Sequence, residues 1–329
     1  VIILLALALA QAPPPPAKLD EPTRLALEKG LGWLASKQNP DGSWSDGGYA
    51  HNTAITSFAV LAFLSQGHLP GQGKYGAEVQ RASRFLVASA RESDGLLVGA
   101  RGGGGRDMYC HGMATLALAQ LWGTTADQGI RPALKRAVDL IVRSQNEAGG
   151  WRYAPAPTDA DISVTVMQVM ALRAARNSGL HVPDRTMDQA IAYINKCRDE
   201  KSGGYQYQPG SREPEFARTA AGVCVLHLTG KHDAAEMPKA IEYLKKKFDS
   251  KNHFYYGHYY ASHAMHQVGG IEWDTWYARL KTTLLPRQSP DGSWSNRELD
   301  GATAGPVYQT AIVVIALSVP AQYVPIYQR

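Results

Sequence analysis

Apolar positions along this chain fall into two alternating patterns. Leu134, Ala137, Val138, Ile141 and Val142 recur at i, i+3, i+4, i+7 and i+8, with Lys135, Arg136, Asp139 and Arg143 on the other side. That is the pattern of a surface helix with one buried stripe. From Ile162 to Leu172 the run is apolar nearly all round, with Val164, Val166, Met167, Val169 and Met170 leaving no polar face. It predicts a helix covered on several sides. Between the two stands Gln145-Asn-Glu-Ala-Gly149-Gly150-Trp151, a Q-x-x-x-G-x-W pattern that recurs at Gln38–Trp44 and Gln288–Trp294. Such recurrence marks an internal repeat, each copy joining two helices of different kinds.

The repeat extends through units that lack the full motif. Six units of helix, glycine-bearing loop and helix follow from Leu19 onward, with inner runs at Thr53–Leu64, Cys110–Leu121 and Asp161–Leu172 in the first three. Gly203-Gly204-Tyr205 stands in the motif's place in the fourth unit, and His253-Phe254-Tyr255 in the fifth. Gly67, Gly123, Gly179, Gly230 and Gly270 follow the inner runs, where a helix would end in a left-handed cap. Gly67 to Gly123 and Gly123 to Gly179 are each 56 residues, the next interval is 51 and the last 40, so the fifth unit is short. Six outer amphipathic helices alternating with six inner buried ones predict an all-α closed double ring, an (α/α)6 toroid over residues 23–329. Nothing alternates with period two over a useful length.

Composition refines this picture at three points. A hydrophobic fraction of 44% is ample for a large core, and 34 Lys+Arg against 29 Asp+Glu leave a mild +5. The one basic cluster, Lys245-Lys246-Lys247, fits a solvated helix face, and no basic stripe interleaved with aromatics suggests a nucleic-acid partner. Cys110, Cys197 and Cys224 form an odd set with no C-x-x-C, so at most one pair can close. Residues 1–22 are expected to lie outside the ring. Val1–Ala10 is continuously apolar and ends in Ala8-Leu9-Ala10, like the core and cleavage site of a secretory signal, and Pro13–Pro16 form a stiff spacer. The expectation is an exported protein, with an uncleaved anchor as the alternative.

The Q-x-x-x-G-x-W motif followed by an inner helix of small residues resembles the repeat of squalene-hopene and oxidosqualene cyclases. More loosely it is similar to the β-subunits of protein prenyltransferases. The resemblance covers about Leu25 to Leu317, and it implies the α/α toroid. The motif's physics is structural: Gln can bond carbonyls, Gly allows a left-handed turn, and Trp packs a large plate between units. Trp44, Trp151 and Trp294 are therefore expected as staples rather than ligand contacts, with Tyr205 and Phe254 filling the role less completely.

In such a ring the inner-helix N-termini face one mouth of the central cavity. The candidates there are His51 and Asn52; Asp107, Tyr109, Cys110 and His111; Asp159 and Asp161; Glu215 and Arg218; His258, Tyr259, Tyr260 and His263; and Tyr308 and Gln309. Polar groups on otherwise buried helices need a partner or a task. Class II triterpene cyclases protonate their substrate with the central Asp of a D-x-D-D run. Asp159-Ala160-Asp161-Ile162 matches the first Asp and that acid, but not the last. The competing reading makes Asp161 or Asp159 a helix N-cap. Cys110 and His111 are zinc-ligand types, similar to part of the prenyltransferase site, yet that family's Asp-x-Cys is absent and neighbouring residues diverge by about 100° on a helix. A packed Cys and a hydrogen-bonded His are the alternative, and no metal or other cofactor is called for. His258, His263 and His266 share a helix without the Glu of H-E-x-x-H, and fit pocket lining. Arg101-Gly-Gly-Gly-Gly-Arg106 lacks the G-K-[ST] of a phosphate loop and fits a loop over the cavity mouth.

Three functions follow as expectations. The first is an isoprenoid cyclase with Asp161 as general acid in an apolar cavity, its partner an apolar small molecule or isoprenoid lipid at a membrane surface. The second is a secreted toroid that binds a lipid or protein without chemistry. The third is a secreted carbohydrate-active enzyme, for which Asp161 and Glu215 are the only carboxylate pair on offer.

Overall fold

The computed structural model describes residues 19–99, 102–211, 213–230, 235–296, 305–321 and 323–327. The signal-like segment, the polyproline spacer and Arg101 lie outside the described residues. The described residues form twelve α-helices joined by loops, and pairing between extended segments among them is limited to isolated bridges.

The outer helices are α1 (Glu21–Ser36), α3 (Gly76–Ala88), α5 (Ile130–Arg143), α7 (Asp184–Lys196), α9 (Met237–Lys246) and α11 (Gly270–Leu284). The inner ones are α2 (Thr53–Leu64), α4 (Asp107–Leu121), α6 (Ile162–Asn177), α8 (Phe216–Leu228), α10 (Phe254–Val268) and α12 (Pro306–Ser318). The inner helices pack in an unbroken circle, α2 on α4, α4 on α6, and so on to α12 on α2. Most outer helices lie across the seam between two inner ones, as α3 does on α2 and α4. This is the (α/α)6 toroid that the two hydrophobic patterns predict. In α5 only one stripe is buried, whereas Thr53 and Ile55 to Leu64 of α2 are all buried.

The motif joins units, and its geometry repeats. Trp44, Trp151 and Trp294 are buried, and each indole N–H donates to a carbonyl ten residues back, of Leu34, Ile141 and Leu284, all at 2.8 Å. Each Trp backbone N–H donates to a threonine hydroxyl on the following inner helix, Thr56, Thr165 or Thr310. Tyr205 does the same with Thr219. The Gln amide donates twice. Gln145 reaches Gly149 O within its own loop and Thr186 O on the next outer helix, and Gln38 and Gln288 make the equivalent pairs. The glutamine therefore clasps the next unit rather than the end of its own helix. Gly149 has φ of 97°, and a Cβ there would stand 2.3 Å from Gln189 O on α7, so the loop can touch the neighbouring helix only without a side chain.

The fifth unit departs from the expectation. Phe254 is the first residue of α10, so no motif loop precedes it, and Phe248 fills the space against His258 and Trp276. Of the stop glycines, Gly67, Gly123, Gly179 and Gly230 have φ of 78–88°. In the fifth unit Gly269 ends α10 and Gly270 already opens α11.

Two features close the molecule. Gln288 donates to Ala26 O, Trp33 to Asp291, and Lys281 to Asp20, which ties the sixth unit to the first. Past α12 the chain turns under the ring, where Val324 and Ile326 are buried, Ile326 N–H donates to Gln120 at the end of α4, and Ser318 accepts from Gln66 just beyond α2. No helix among the described residues is long and apolar enough to cross a membrane. All three cysteines are buried and free.

Candidate active site at the inner-helix N-termini

A cavity of about 570 Å³ opens at the end of the ring where the inner helices begin. Every inner helix contributes from its first turns: Asn52, Ile55 and Phe58 from α2, Tyr109, Cys110 and Met113 from α4, Ser163 and Met167 from α6, Ala217 and Arg218 from α8, Tyr256 from α10 and Tyr308 from α12. Tyr49, Gly103, Arg106, Arg152, Tyr153, Tyr207 and His253 come from the loops and caps above them. Seven of these residues carry phenyl or phenol rings and three are arginines, and no carboxylate is among them. The wall is thus aromatic and cationic rather than simply apolar.

Arginines and tyrosines alternate along one side. Tyr109 stacks on Tyr153 at 6.0 Å, the Arg152 guanidinium lies 5.0 Å from the Tyr153 ring and 5.5 Å from the Tyr207 ring, and Arg218 covers Tyr207 at 5.2 Å. Carboxylates hold two of the three arginines. Arg218 pairs with Glu215 at 3.0 Å, and Arg152 with Asp159 and, at 3.3 Å, with Asp161.

Asp161 is the N-cap of α6. One carboxylate oxygen accepts from Val164 N–H at 3.0 Å and the other from the Tyr207 hydroxyl at 3.0 Å, while Tyr207 also meets the Tyr153 hydroxyl at 2.5 Å. Burial raises this carboxyl above its ordinary value, and the Val164 amide, Tyr207 and Arg152 all oppose that by favouring the anion. Asp161 does not line the cavity, but Tyr207 and Arg152, which it holds, both do. Asp159 is exposed on the outer side of Arg152.

The other sequence candidates divide. Tyr109 and Tyr308 line the cavity. Tyr259 and Tyr260 form a second layer: Tyr259 packs edge-on to the wall residue Phe58 at 5.7 Å, and the Tyr260 hydroxyl reaches Met167 Sδ at 3.8 Å. Glu215 buttresses Arg218 without lining the wall. His51 lies in the first motif loop with φ of 49°, its Nδ1 2.7 Å from Asp41.

His111 and His258 do not face the cavity, and the reason is the repeat. Arg91-Glu-Ser-Asp94-Gly95-Leu96-Leu97 is a motif loop with Leu in place of Trp. His111 holds the threonine's place, accepting from Leu97 N–H at 3.0 Å, and its Nε2 lies 3.1 Å from Ala137 O. His258 likewise turns outward, Nε2 3.2 Å from Phe248 O. Burial pushes His111 down to about 4 and His258 to about 3. Cys110, by contrast, faces the cavity with Asn52 Nδ2 3.4 Å from its sulfur, so Cys110 and His111 do not converge on one ion. His263 and His266 part similarly, onto Tyr259 and Trp273. Among the described residues no three His, Cys, Asp or Glu side chains are placed to hold a metal.

Arg152, Tyr153, Tyr207 and Tyr256 escape sequence reasoning. The available signal is their position, since Arg152 and Tyr153 directly follow the motif Trp, and Tyr207 lies two residues past Tyr205.

A drimenyl diphosphate synthase of Streptomyces showdoensis is 26% identical over 193 residues, 58% of this chain and 34% of that protein. One from Streptantibioticus cattleyicolor is 29% identical over 136 residues, 40% of this chain and 24% of the relative. The matches thus span about a third or less of the relatives' length. A type II terpene cyclase from Scytonema, in complex with geranylgeranyl dihydroxybenzoate, superposes with a TM-score of 0.62 at 14% identity over 92% of this chain and 98% of that one. An alpha-1,6-mannanase from Salegentibacter sp. HEL1_6 gives 0.67 at 8% identity, over 91% and 99%. At those identities the structures share the fold. The family model of the prenyltransferase alpha-alpha toroid domain matches residues 16–173 and again 159–317, nearly the whole ring, and the chain belongs to that terpenoid cyclase-like family.

Proposed function

We propose that this toroid holds an isoprenoid-type molecule in the cavity at the inner-helix N-termini. The observation that carries the reading is the wall itself: Phe58, Met113, Met167 and the ring faces of six tyrosines, with no carboxylate. Rings and thioethers offer polarisable contact to a branched hydrocarbon, and the volume lies within the range of about 300–1,000 Å³ usual for small-molecule sites. Curated relatives named drimenyl diphosphate synthases support the ligand class. Glycoside hydrolysis by paired carboxylates is disfavoured, because neither Asp161 nor Glu215 lines the cavity.

Cyclisation with Asp161 as general acid is the second reading, favoured by the match of Asp159 and Asp161 to the cyclase run and by the burial of Asp161. Its ion pair with Arg152 favours the anion, so an acid role requires that pair to open first. Titration calorimetry with farnesol tests the binding reading. Binding is expected, and Ala54→Phe, at a partly exposed position of the cavity lining, is expected to abolish it with the melting temperature kept. Absence of binding, or binding indifferent to Ala54→Phe, overturns it. Product analysis with Asp161→Asn separates the readings: turnover that vanishes while binding persists assigns the acid, and a native protein that binds without turnover assigns a binding protein.

A further inference from the structure

Among the described residues, five of the six joints between neighbouring units are made by backbone against backbone. At each, a loop glycine in the left-handed conformation lies on the next outer helix: Gly42 on Arg81, Gly95 on Arg136, Gly149 on Gln189, Gly203 on Lys239 and Gly292 on Lys29. A Cβ at any of them would stand no more than 2.8 Å from a backbone atom of that helix. The joint between the fifth and sixth units has no such loop and is held by side chains. Arg279 of α11 lies over the Phe248 ring at 4.1 Å and pairs with Asp249 at 2.5 Å, and Lys245 pairs with Glu272 at 3.1 Å. Both ion pairs are at the surface, where such pairs contribute little and salt screens them.

Beneath them the two units meet in a cluster of rings. Trp276 of α11 lies 4.8 Å from Phe248, 5.8 Å from His258 of α10, and stacks on Phe216 at 6.3 Å. Two buried polar groups in this cluster lack partners. The Trp276 indole N–H has no acceptor, and His258 Nδ1 has no donor, its Nε2 being directed at Phe248 O. An unmet donor and an unmet acceptor stand on opposite sides of one joint. Each carries a desolvation cost that their meeting would remove.

The chain permits such a movement here. α2, α4, α6 and α8 are each followed by several residues before the next outer helix, but α10 passes straight into α11 through Gly269 at φ 75° and Gly270 at φ 55°. Paired glycines between two rigid helices absorb a change of backbone angle locally, as a hinge requires. Both sides of the joint reach the cavity, through His253 and Tyr256 on one side and Tyr308 on the other. Phe254, between the first two, lies 4.4 Å from His258. Tyr277, beside Trp276, donates to Leu317 O of α12 at 2.7 Å, so α11 and α12 are tied together.

We propose that the joint between the fifth and sixth units is the moving joint of the ring. α11 and α12 rock against α10 about Gly269–Gly270, into a second arrangement in which the Trp276 indole N–H bonds to His258 Nδ1, and this rocking sets the spacing of Tyr256 and Tyr308 in the cavity wall. The motion belongs to the wall itself and needs no ligand, so it stands or falls apart from the isoprenoid reading.

Hydrogen exchange and nitrogen-15 relaxation dispersion on the whole chain, without ligand, test it. Amides of α11 are expected to exchange at least about tenfold faster than those of α3, α5 and α7, and faster still in high salt. The Trp276 indole, assigned by its loss in Trp276→Phe, is expected to show microsecond-to-millisecond exchange at the same rate as the Tyr256 and Tyr308 amides, while the indoles of Trp44, Trp151 and Trp294 show none. His258→Phe removes the acceptor and is expected to abolish that exchange at all three positions. Arg279→Ala, at an exposed position, is expected to speed hydrogen exchange in α11 and leave α5 as it was. An α11 that exchanges as slowly as α5 whatever the salt, a Trp276 indole without dispersion, or dispersion that survives in a folded His258→Phe overturns the moving joint, as does an α11 indifferent to Arg279→Ala. Dispersion at Trp276 that the Tyr256 and Tyr308 amides do not share overturns its hold on the wall.

Discussion

Trp151 shows how much one residue of the repeat does. Its indole is buried, donates to Ile141 O, and has its backbone N–H held by Thr165. Trp151→Ala is expected to cost about 3–5 kcal/mol from lost burial and the cavity left behind, with the orphaned carbonyl adding to it. Urea unfolding checks this, and a loss under about 1 kcal/mol would mean that the loop recloses. His111 and His258 carry a pH signature. Both are held neutral, near 4 and 3 against an ordinary 6.5. Between those values the unfolded chain binds protons that the folded one refuses, so stability is full above about 6.5 and falls as the solution is acidified toward 4. Unfolding midpoints at pH 7, 5.5 and 4.5 should descend in that order, less steeply in His111→Gln. At this scale the sequence was legible where a residue repeated and illegible where it did not. The motif Trp announced itself three times. Arg152 and Tyr207 lie in aperiodic loop, where no pattern tells a wall residue from a solvated one. His111 misled because an imidazole on a buried helix suggests chemistry, whereas it replaces a threonine's hydrogen bond.

The helices were the most legible level, because burial is written in periodicity. The inner run expected at Thr53–Leu64 has those bounds in the structure, and α4 and α6 differ from expectation only in their ends. The fifth unit is short, as the glycine spacing predicts, but its connection between α9 and α10 leaves no room for a motif loop, and chain length alone does not say which element gives way. Asp161 sits where helix and site meet. As N-cap it orders the start of α6, and its second oxygen anchors Tyr207 and, with Asp159, Arg152. Asp161→Asn therefore acts through Tyr207 and Arg152 as well as through any proton it carries, which is why binding and turnover must be measured separately in that variant.

At the scale of the molecule, the ring is closed by the same device that joins its units. The last motif repeats the clasp used everywhere else, but its neighbour is the first helix of the chain. Gln288 holds Ala26 O, and Gly292, at φ 96°, faces Lys29 O, which a Cβ would approach to 2.6 Å. Gly292→Ala is expected to loosen this one joint. Hydrogen exchange should speed up in α1 and α12 before α5 or α6, and a uniform increase around the ring would contradict a local joint. The tail beneath the ring has a different consequence. With Val324 and Ile326 buried at the base, the molecule is a cup rather than a tunnel. Whatever enters must leave by the same rim, so no polymer can be threaded through, and an occupied cup must empty before it can fill again.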